Sequence, residues 1–220
     1  MTSKAAIVFL RVPEKGRVKT RLSKSLSESF VLELYKGFVE DSLEALEGAG
    51  DKILYFWPPG KERLLEKWLG THYFFSPQQG NDIGEKMANA FHEIFEKGYT
   101  RAVLVGTDIP ELTGLMISRA HKLLSAADAV IGPAEDGGYY LIGFQKNKFS
   151  KSVFQNIDWS TGRVLDQTIT AMDRESIQYK LIDKLHDIDT LKDLKALTER
   201  AEKSENIGRR TLENLSACQS

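Results

Sequence analysis

A chain of 220 residues with 41% hydrophobic side chains can bury one sizeable core, and nothing in its composition calls for a second domain. Thirty basic residues against 31 acidic ones leave a formal charge of -1, which excludes a global attraction to nucleic acid or to an anionic membrane. Cys218 is the only cysteine, so neither an intramolecular disulfide framework nor a cysteine-built zinc site is available.

No run approaches the roughly 18 apolar residues of a membrane span, and the first residues lack the apolar stretch of a leader peptide. The expectation is a single-domain cytoplasmic protein over residues 1–220, with no membrane span and no nucleic-acid partner. Association of identical copies stays open.

Ala5 to Leu10 is an apolar run of strand length. It opens onto the densest basic cluster in the chain, with Arg11, Lys15, Arg17, Lys19 and Arg21 gathered around Pro13 and Gly16. That composition suits a loop that grips phosphate oxygens by charge while the backbone comes close, although a solvated charged loop has the same look. Gly16 to Thr20 ends like a Walker A loop but lacks a glycine directly before the lysine, and no G-x-G-x-x-G follows the strand.

Ser25 and Glu28 have capping-box spacing, and Val31, Leu34, Tyr35, Phe38, Val39 and Leu46 recur at helical intervals until Gly48 and Gly50. Lys52 to Trp57 predicts a second strand, Lys61 to Leu69 a short helix, and Tyr73 to Phe75 a third strand. Gly80 and Gly84 flank Asp82 just before a helix whose apolar face carries Met87, Phe91 and Ile94. Such a loop can hold an anion at the helix N-terminus, or Asn81 or Asp82 can simply cap it.

Ala102 to Val105 form an unbroken apolar run that stops at Gly106, Thr107 and Asp108. A strand buried on both faces and ending in a carboxylate places that carboxylate at the rim where open α/β sheets bind ligands. As a lone residue Asp108 could equally be a turn or cap; Pro110 ends the strand and Thr113 can cap the next helix, from about Leu115 to Leu124. Ala129 to Ile131 predicts a strand leading into Glu135, Asp136, Gly137 and Gly138. Asp-Gly-Gly between two apolar runs makes a hairpin turn, and it also offers a carboxylate beside bare backbone, suited to bind a hydroxyl or act as an acid or base.

Trp159 precedes Ser160 and Thr161, natural caps for a helix to about Met172, and it can pack in the core or cover a ligand ring. Gln178 to Ile182 predicts a last strand. Asp187 and Asp189 then alternate on one side of an extended segment, with Asp189 or Thr190 capping the final core helix. Asp187 is either a solvated cap or a second oxygen ligand for a divalent cation at the Asp108 rim. From Glu199 onward the polar sequence predicts a surface helix and a frayed tail. His72, His92, His121 and His186 show no metal-ligand spacing. Alternating strands and helices predict a mostly parallel central sheet flanked by helices, an αβα sandwich.

Four segments together, 13–22, 106–112, 132–143 and 187–194, resemble the nucleotide-diphospho-sugar transferase superfamily with its GT-A, Rossmann-like fold. Within it, the K-T-R-L, G-T-D-x-P, P-x-x-D-G-G-Y and W-S-T elements are most similar to a family associated with radical-SAM and selenodomain proteins, often labelled glycosyltransferases. The opening departs from that family's K-A-P-x-P-G, and the G-G-x-S-x-R loop of nucleotidyltransferases is absent.

The resemblance implies a metal-dependent transferase acting on a nucleotide-sugar and a small acceptor, with Mg2+ or Mn2+ held by Asp108 and Asp187. Arg11, Pro13, Gly16, Lys19, Arg21, Gly80, Asp82, Gly84 and Thr107 would contact nucleotide and phosphates. Asp136, Gly137, Gly138 and Trp159 would contact the acceptor, with Asp136, Lys19 and Arg21 as catalytic residues. The rival readings are a nucleotidyltransferase joining an NTP to a phosphorylated small molecule with pyrophosphate release, and a non-catalytic nucleotide-binding module.

Overall fold

The apolar run after the N-terminus becomes the axis of the sheet. In the computed structural model, which describes residues 3–202 and 206–217, every residue from Ala5 to Leu10 is buried. Cys218 lies outside the described residues.

The strands are β1 (Lys4–Arg11), β2 (Asp51–Trp57), β3 (Phe74–Pro77), β4 (Arg101–Gly106), β5 (Ala129–Pro133), β6 (Tyr139–Gln145) and β7 (Tyr179–Leu181). Their spatial order is β3-β2-β1-β4-β6-β5-β7, and β6 alone among the described strands runs antiparallel to its neighbours. Between β1 and β4 the order reverses: from β1 the chain builds outward to β2 and β3, then returns to place β4 on the other side. Connections leave in opposite directions there, opening a crevice at the carboxyl ends of the two strands.

The helices are α1 (Glu28–Ala45), α2 (Glu62–Leu69), α3 (Ile83–Glu96), α4 (Gly114–Leu123), α5 (Val164–Arg174), α6 (Leu191–Ala201) and α7 (Arg209–Ala217). Side-chain alternation along β1 sorts most of them into layers. Ala6, Val8 and Leu10 share one apolar cluster with Tyr35 and Val39 of α1, Leu65 of α2 and Ile117 of α4. Ala5, Ile7 and Phe9 share the other with Met87 and Phe91 of α3 and Met172 of α5. Burying a Leu, Ile or Phe contributes roughly 1.5–3 kcal/mol, so both faces of the strand hold the layers in place.

Three local expectations need correction. The cap of α1 is Ser27, whose hydroxyl accepts from the Phe30 N–H, rather than Ser25: residues 22–24 form a short 3-10 turn that consumes the spacing. Neither Ser160 nor Thr161 caps α5. The helix starts at Val164 behind Arg163, and the Thr161 hydroxyl donates to the Asp158 carbonyl while accepting from the Arg163 N–H.

The segment after residue 199 is more than a polar surface helix. Ile207, and Leu215 of α7, share an apolar cluster with Leu34 and Phe38 of α1. The buried Asp41 carboxylate accepts from the Arg210 N–H (3.1 Å), the Thr211 N–H (2.9 Å) and the Thr211 hydroxyl (2.7 Å). A carboxylate on α1 thereby satisfies amides of the first turn of α7 that have no partner within the helix.

Candidate functional site

Strand ends gather the site. Asp108 follows β4 by two residues, and β1 delivers Arg11 beside it. The loop after β1 turns back at Lys19, which sits at φ 45°, a left-handed backbone that costs a non-glycine residue roughly 1–2 kcal/mol. That turn directs Lys19 inward: its side chain is 5% exposed, with Nζ 2.9 Å from Asp108 Oδ1 and 2.8 Å from Asp189 Oδ1. Burial opposes its charge, but Asp108 and Asp189 outweigh burial and hold the ammonium above its ordinary range. Arg21, 70% exposed, reaches the other Asp189 oxygen at 3.5 Å.

Asp189 arrives by a separate route. The Ile188 N–H donates to the Asp108 carbonyl (3.0 Å), which draws the segment before α6 along the end of β4. Ile188 is fully buried, so its neighbours Asp187 and Asp189 both face the crevice, as residues two apart in extended chain must. Thr190 then caps α6 in a reciprocal capping box with Asp193.

Two lobes meet there. The first, about 470 Å³, is lined by Arg11, Lys19, Arg21, Lys86, Trp57 and Gln78 among others, with Thr107 and Asp108 at its base. Lys86 Nζ lies 3.9 Å from the Trp57 ring centroid; its pKa is lowered by burial first, then by nearby Arg11, with Asp82 partly offsetting. Tyr35 fixes the end of β1, accepting from the Arg11 N–H (2.7 Å) and donating to the Arg11 carbonyl (2.9 Å). Burial first, then the Asp108 charge, keeps that phenol firmly protonated.

The second lobe, about 270 Å³, has Tyr139, Tyr140 and Trp159 in its wall and four carboxylates, Asp108, Asp136, Asp187 and Asp189, in its floor. Ile83, Gly106, Asp108 and Asp189 belong to both lobes, so they form one cleft. Asp136 Oδ1 accepts from the Gly138 N–H (2.8 Å). The Asp187 carboxyl is pushed above its usual range by burial first, then by the Asp136 charge.

Of the residues singled out from sequence, Arg11, Lys19, Arg21, Thr107 and Asp108 line the first lobe; Asp108, Asp136, Gly138, Trp159 and Asp187 line the second. Pro13, Gly16, Gly80, Asp82, Gly84 and Gly137 line neither. Asp82 is the α3 cap, accepting from the Glu85 N–H (2.8 Å). A Cβ on Gly84 would collide with the Trp159 ring, and one on Gly137, at φ 88°, with the Gly162 carbonyl. These two glycines therefore let Trp159 and the 160–162 turn close around the second lobe. Trp159 thus both packs on α3 and lines the cleft, which answers the choice its sequence position left open.

Asp189, Gln78, Trp57, Lys86 and Tyr35 escaped the sequence reading as site residues. Only Asp189 carried a signal, the alternation with Asp187.

The crevice at a parallel-sheet switch point, with a cationic lobe beside it, defines an α/β transferase fold of the nucleotide-diphospho-sugar type. The chain is 35% identical to a crystallised protein from Desulfovibrio desulfuricans G20 described as a "putative nucleotide-diphospho-sugar transferase". The match covers 99% of this chain and 95% of that one, with a TM-score of 0.94. A family model matches residues 43–161, and the chain belongs to that family, described as "Uncharacterized protein conserved in bacteria (DUF2064)".

More distant structures share the fold. One is a CMP:2-keto-3-deoxy-manno-octonic acid synthetase complexed with CTP, at 9% identity, 92% and 100% coverage of this chain and that one, and TM-score 0.57. Another is a 4-diphosphocytidyl-2C-methyl-D-erythritol synthase from Anaerococcus prevotii, at 11% identity, 91% and 99% coverage, and TM-score 0.61. No curated protein matches the chain. Among the described residues, no helix is long and apolar enough to cross a membrane.

Proposed function

We propose that the chain is a divalent-cation-dependent glycosyltransferase that binds a nucleotide-sugar and transfers its glycosyl group to an acceptor hydroxyl. The observation that carries this reading is the joining of a cationic lobe to an aromatic, carboxylate-floored lobe through Asp108 and Asp189. A diphosphate leaving group needs cations, and Arg11, Lys19, Arg21 and Lys86 line the first lobe. A sugar or polyol needs hydrogen-bond acceptors against an apolar ring, and Asp136 and Trp159 line the second.

The donor set fits a hard cation. The second-lobe carboxylates are oxygen donors; burial first, then the Asp136 charge, raises Asp187, and a divalent ion would offset the second of these. Among the described residues no three His, Cys, Asp or Glu side chains form a ready-made cage, so waters and substrate phosphates would have to complete the coordination. Asp108 and Asp187 would hold Mg2+ or Mn2+, whose chemistry is to neutralise charge building on the departing diphosphate.

The chain's own groups do the rest. Lys19 and Arg21 grip phosphate oxygens. Asp136, with Oδ1 committed to Gly138, offers Oδ2 to orient the acceptor hydroxyl and take its proton.

Asp108→Asn tests the assignment. Turnover should fall at least about 100-fold and the Mn2+-dependent melting shift should vanish while the circular dichroism spectrum persists; undiminished turnover sinks it. A second reading, nucleotidyl transfer, is favoured by the shared fold of the two cytidylyl-type synthases. Products separate them: NDP from an NDP-sugar supports glycosyl transfer, and pyrophosphate from an NTP supports the rival.

A further inference from the structure

The two lobes differ in charge. The first is lined by Arg11, Lys19, Arg21 and Lys86. The second is lined by four aspartates and by no lysine, arginine or histidine. The cation nearest its floor, Lys19, is spent on Asp108 and Asp189. Among the described residues neither Asp136 nor Asp187 takes part in an ion pair. The same cavity is also lined by apolar and aromatic side chains, Met87, Ile109, Val164, Tyr139 and Trp159. What stands out is a cavity of about 270 Å³ that brings carboxylate oxygens and aromatic rings together and adjoins the phosphate lobe.

We propose that the second lobe selects an acceptor carrying no phosphate or carboxylate: a neutral hydroxyl-bearing molecule, sugar- or polyol-like, whose polar edge meets Asp136 and whose apolar face lies on Trp159. This rests on the glycosyl-transfer reading above and narrows it to a substrate class. Full charge counting supports it. Four aspartates against Lys19, the Arg21 that reaches Asp189 and one divalent ion leave about zero net charge, with no cation to spare before any acceptor enters. A phosphate monoester would add about 1.5 to 2 negative charges beside Asp136, which has no side-chain cation on it among the described residues. Like charges brought together in a partly buried site cost enough to weaken binding on the order of 100-fold. A neutral polyol meets no such penalty, and each carboxylate oxygen can accept one of its hydroxyls. The same asymmetry keeps the diphosphate of the donor in the first lobe, which fixes the direction in which donor and acceptor face each other across Asp108.

The test is equilibrium dialysis of the full chain with labelled matched pairs: methyl glucoside against glucose 6-phosphate, and glycerol against glycerol 3-phosphate. Mn2+ is present, and the cationic lobe is first saturated with whichever of UDP, GDP, ADP or CDP gives the largest melting shift. The neutral member of a pair should bind at least tenfold more tightly. In Asp136→Asn, if its circular dichroism and its Mn2+-dependent melting shift match the parent, the phosphorylated member should gain at least tenfold over its neutral partner. A phosphorylated probe that equals or beats its neutral partner in the parent chain overturns the proposal, as does silence from both members of both pairs. If nucleoside diphosphate binding persists through such a failure, only the acceptor class is wrong. If no nucleoside diphosphate binds, the glycosyl-transfer reading falls first and takes this one with it.

Discussion

Replacing Lys19 by methionine isolates the ion pairing at the centre of the cleft. The side chain is 5% exposed and its ammonium touches two carboxylates at 2.9 and 2.8 Å. Removing one partner of a fully buried pair costs about 3–5 kcal/mol, because the other charge is stranded. Here Asp108 and Asp189 keep 47% and 38% of their side-chain surface in contact with water, so solvent recovers part of that loss. The expected cost is roughly 1.5–3 kcal/mol, which in a chain of this size lowers Tm by roughly 3–12 °C.

Urea denaturation of Lys19→Met in the native background and in Asp108→Asn/Asp189→Asn measures the coupling. The methionine should cost little in the second background, where the ammonium has no anion to balance. Equal costs in both backgrounds would refute the idea that the two carboxylates organise this lysine.

Other perturbations probe the supports of the cleft. Asp41→Ala strips the buried Thr211 N–H and hydroxyl of their acceptor and should cost roughly 2–4 kcal/mol. Amide exchange should quicken first in α7, and uniform exchange along the chain would contradict this. Gly84→Ala pushes a methyl into the Trp159 ring, so indole emission should shift to the red and acceptor binding weaken together; an unchanged spectrum argues against the contact.

His121 is held near pKa 4 by burial first, with Lys4 and Arg101 adding repulsion. The unfolded chain therefore takes up this proton first. The stability contribution is complete above pH 6.5 and is lost as pH falls through about 4, on the order of 3 kcal/mol at most. His121→Gln should flatten stability against pH across that interval, as read from urea midpoints; an unaltered slope would mean another group is responsible.

Much of this fold is written locally. Apolar runs such as Ala5 to Leu10 and Ala102 to Val105 announce strands because residues buried on both faces cannot alternate with polar ones. Thr113, Asp82 and Thr190 announce helix starts because a short oxygen-bearing side chain reaches an N–H three residues on. Caps failed at Thr161, whose hydroxyl a local turn took, and at Ser25, which closes the 3-10 turn so that the helix starts two residues later behind Ser27. Family resemblance placed Asp108, Lys19 and Asp136 in one group, and the structure puts Lys19 and Asp108 in contact and Asp108 and Asp136 around one cavity.

By itself the sequence determined the strands, most of the helices and the chemical kinds of residue at the strand ends, since periodicity and capping act over a few residues. Only the tertiary structure decided which of those ends meet. Asp189 joins Lys19 from 170 residues away because one backbone hydrogen bond lays the 187–189 segment along β4. Gly84 serves a tryptophan from a distant loop, and the C-terminal helix is anchored by an aspartate on α1. Such partners are chosen by the reversal of strand order and the packing of layers, which depend on the whole chain and leave no mark in any short stretch of it.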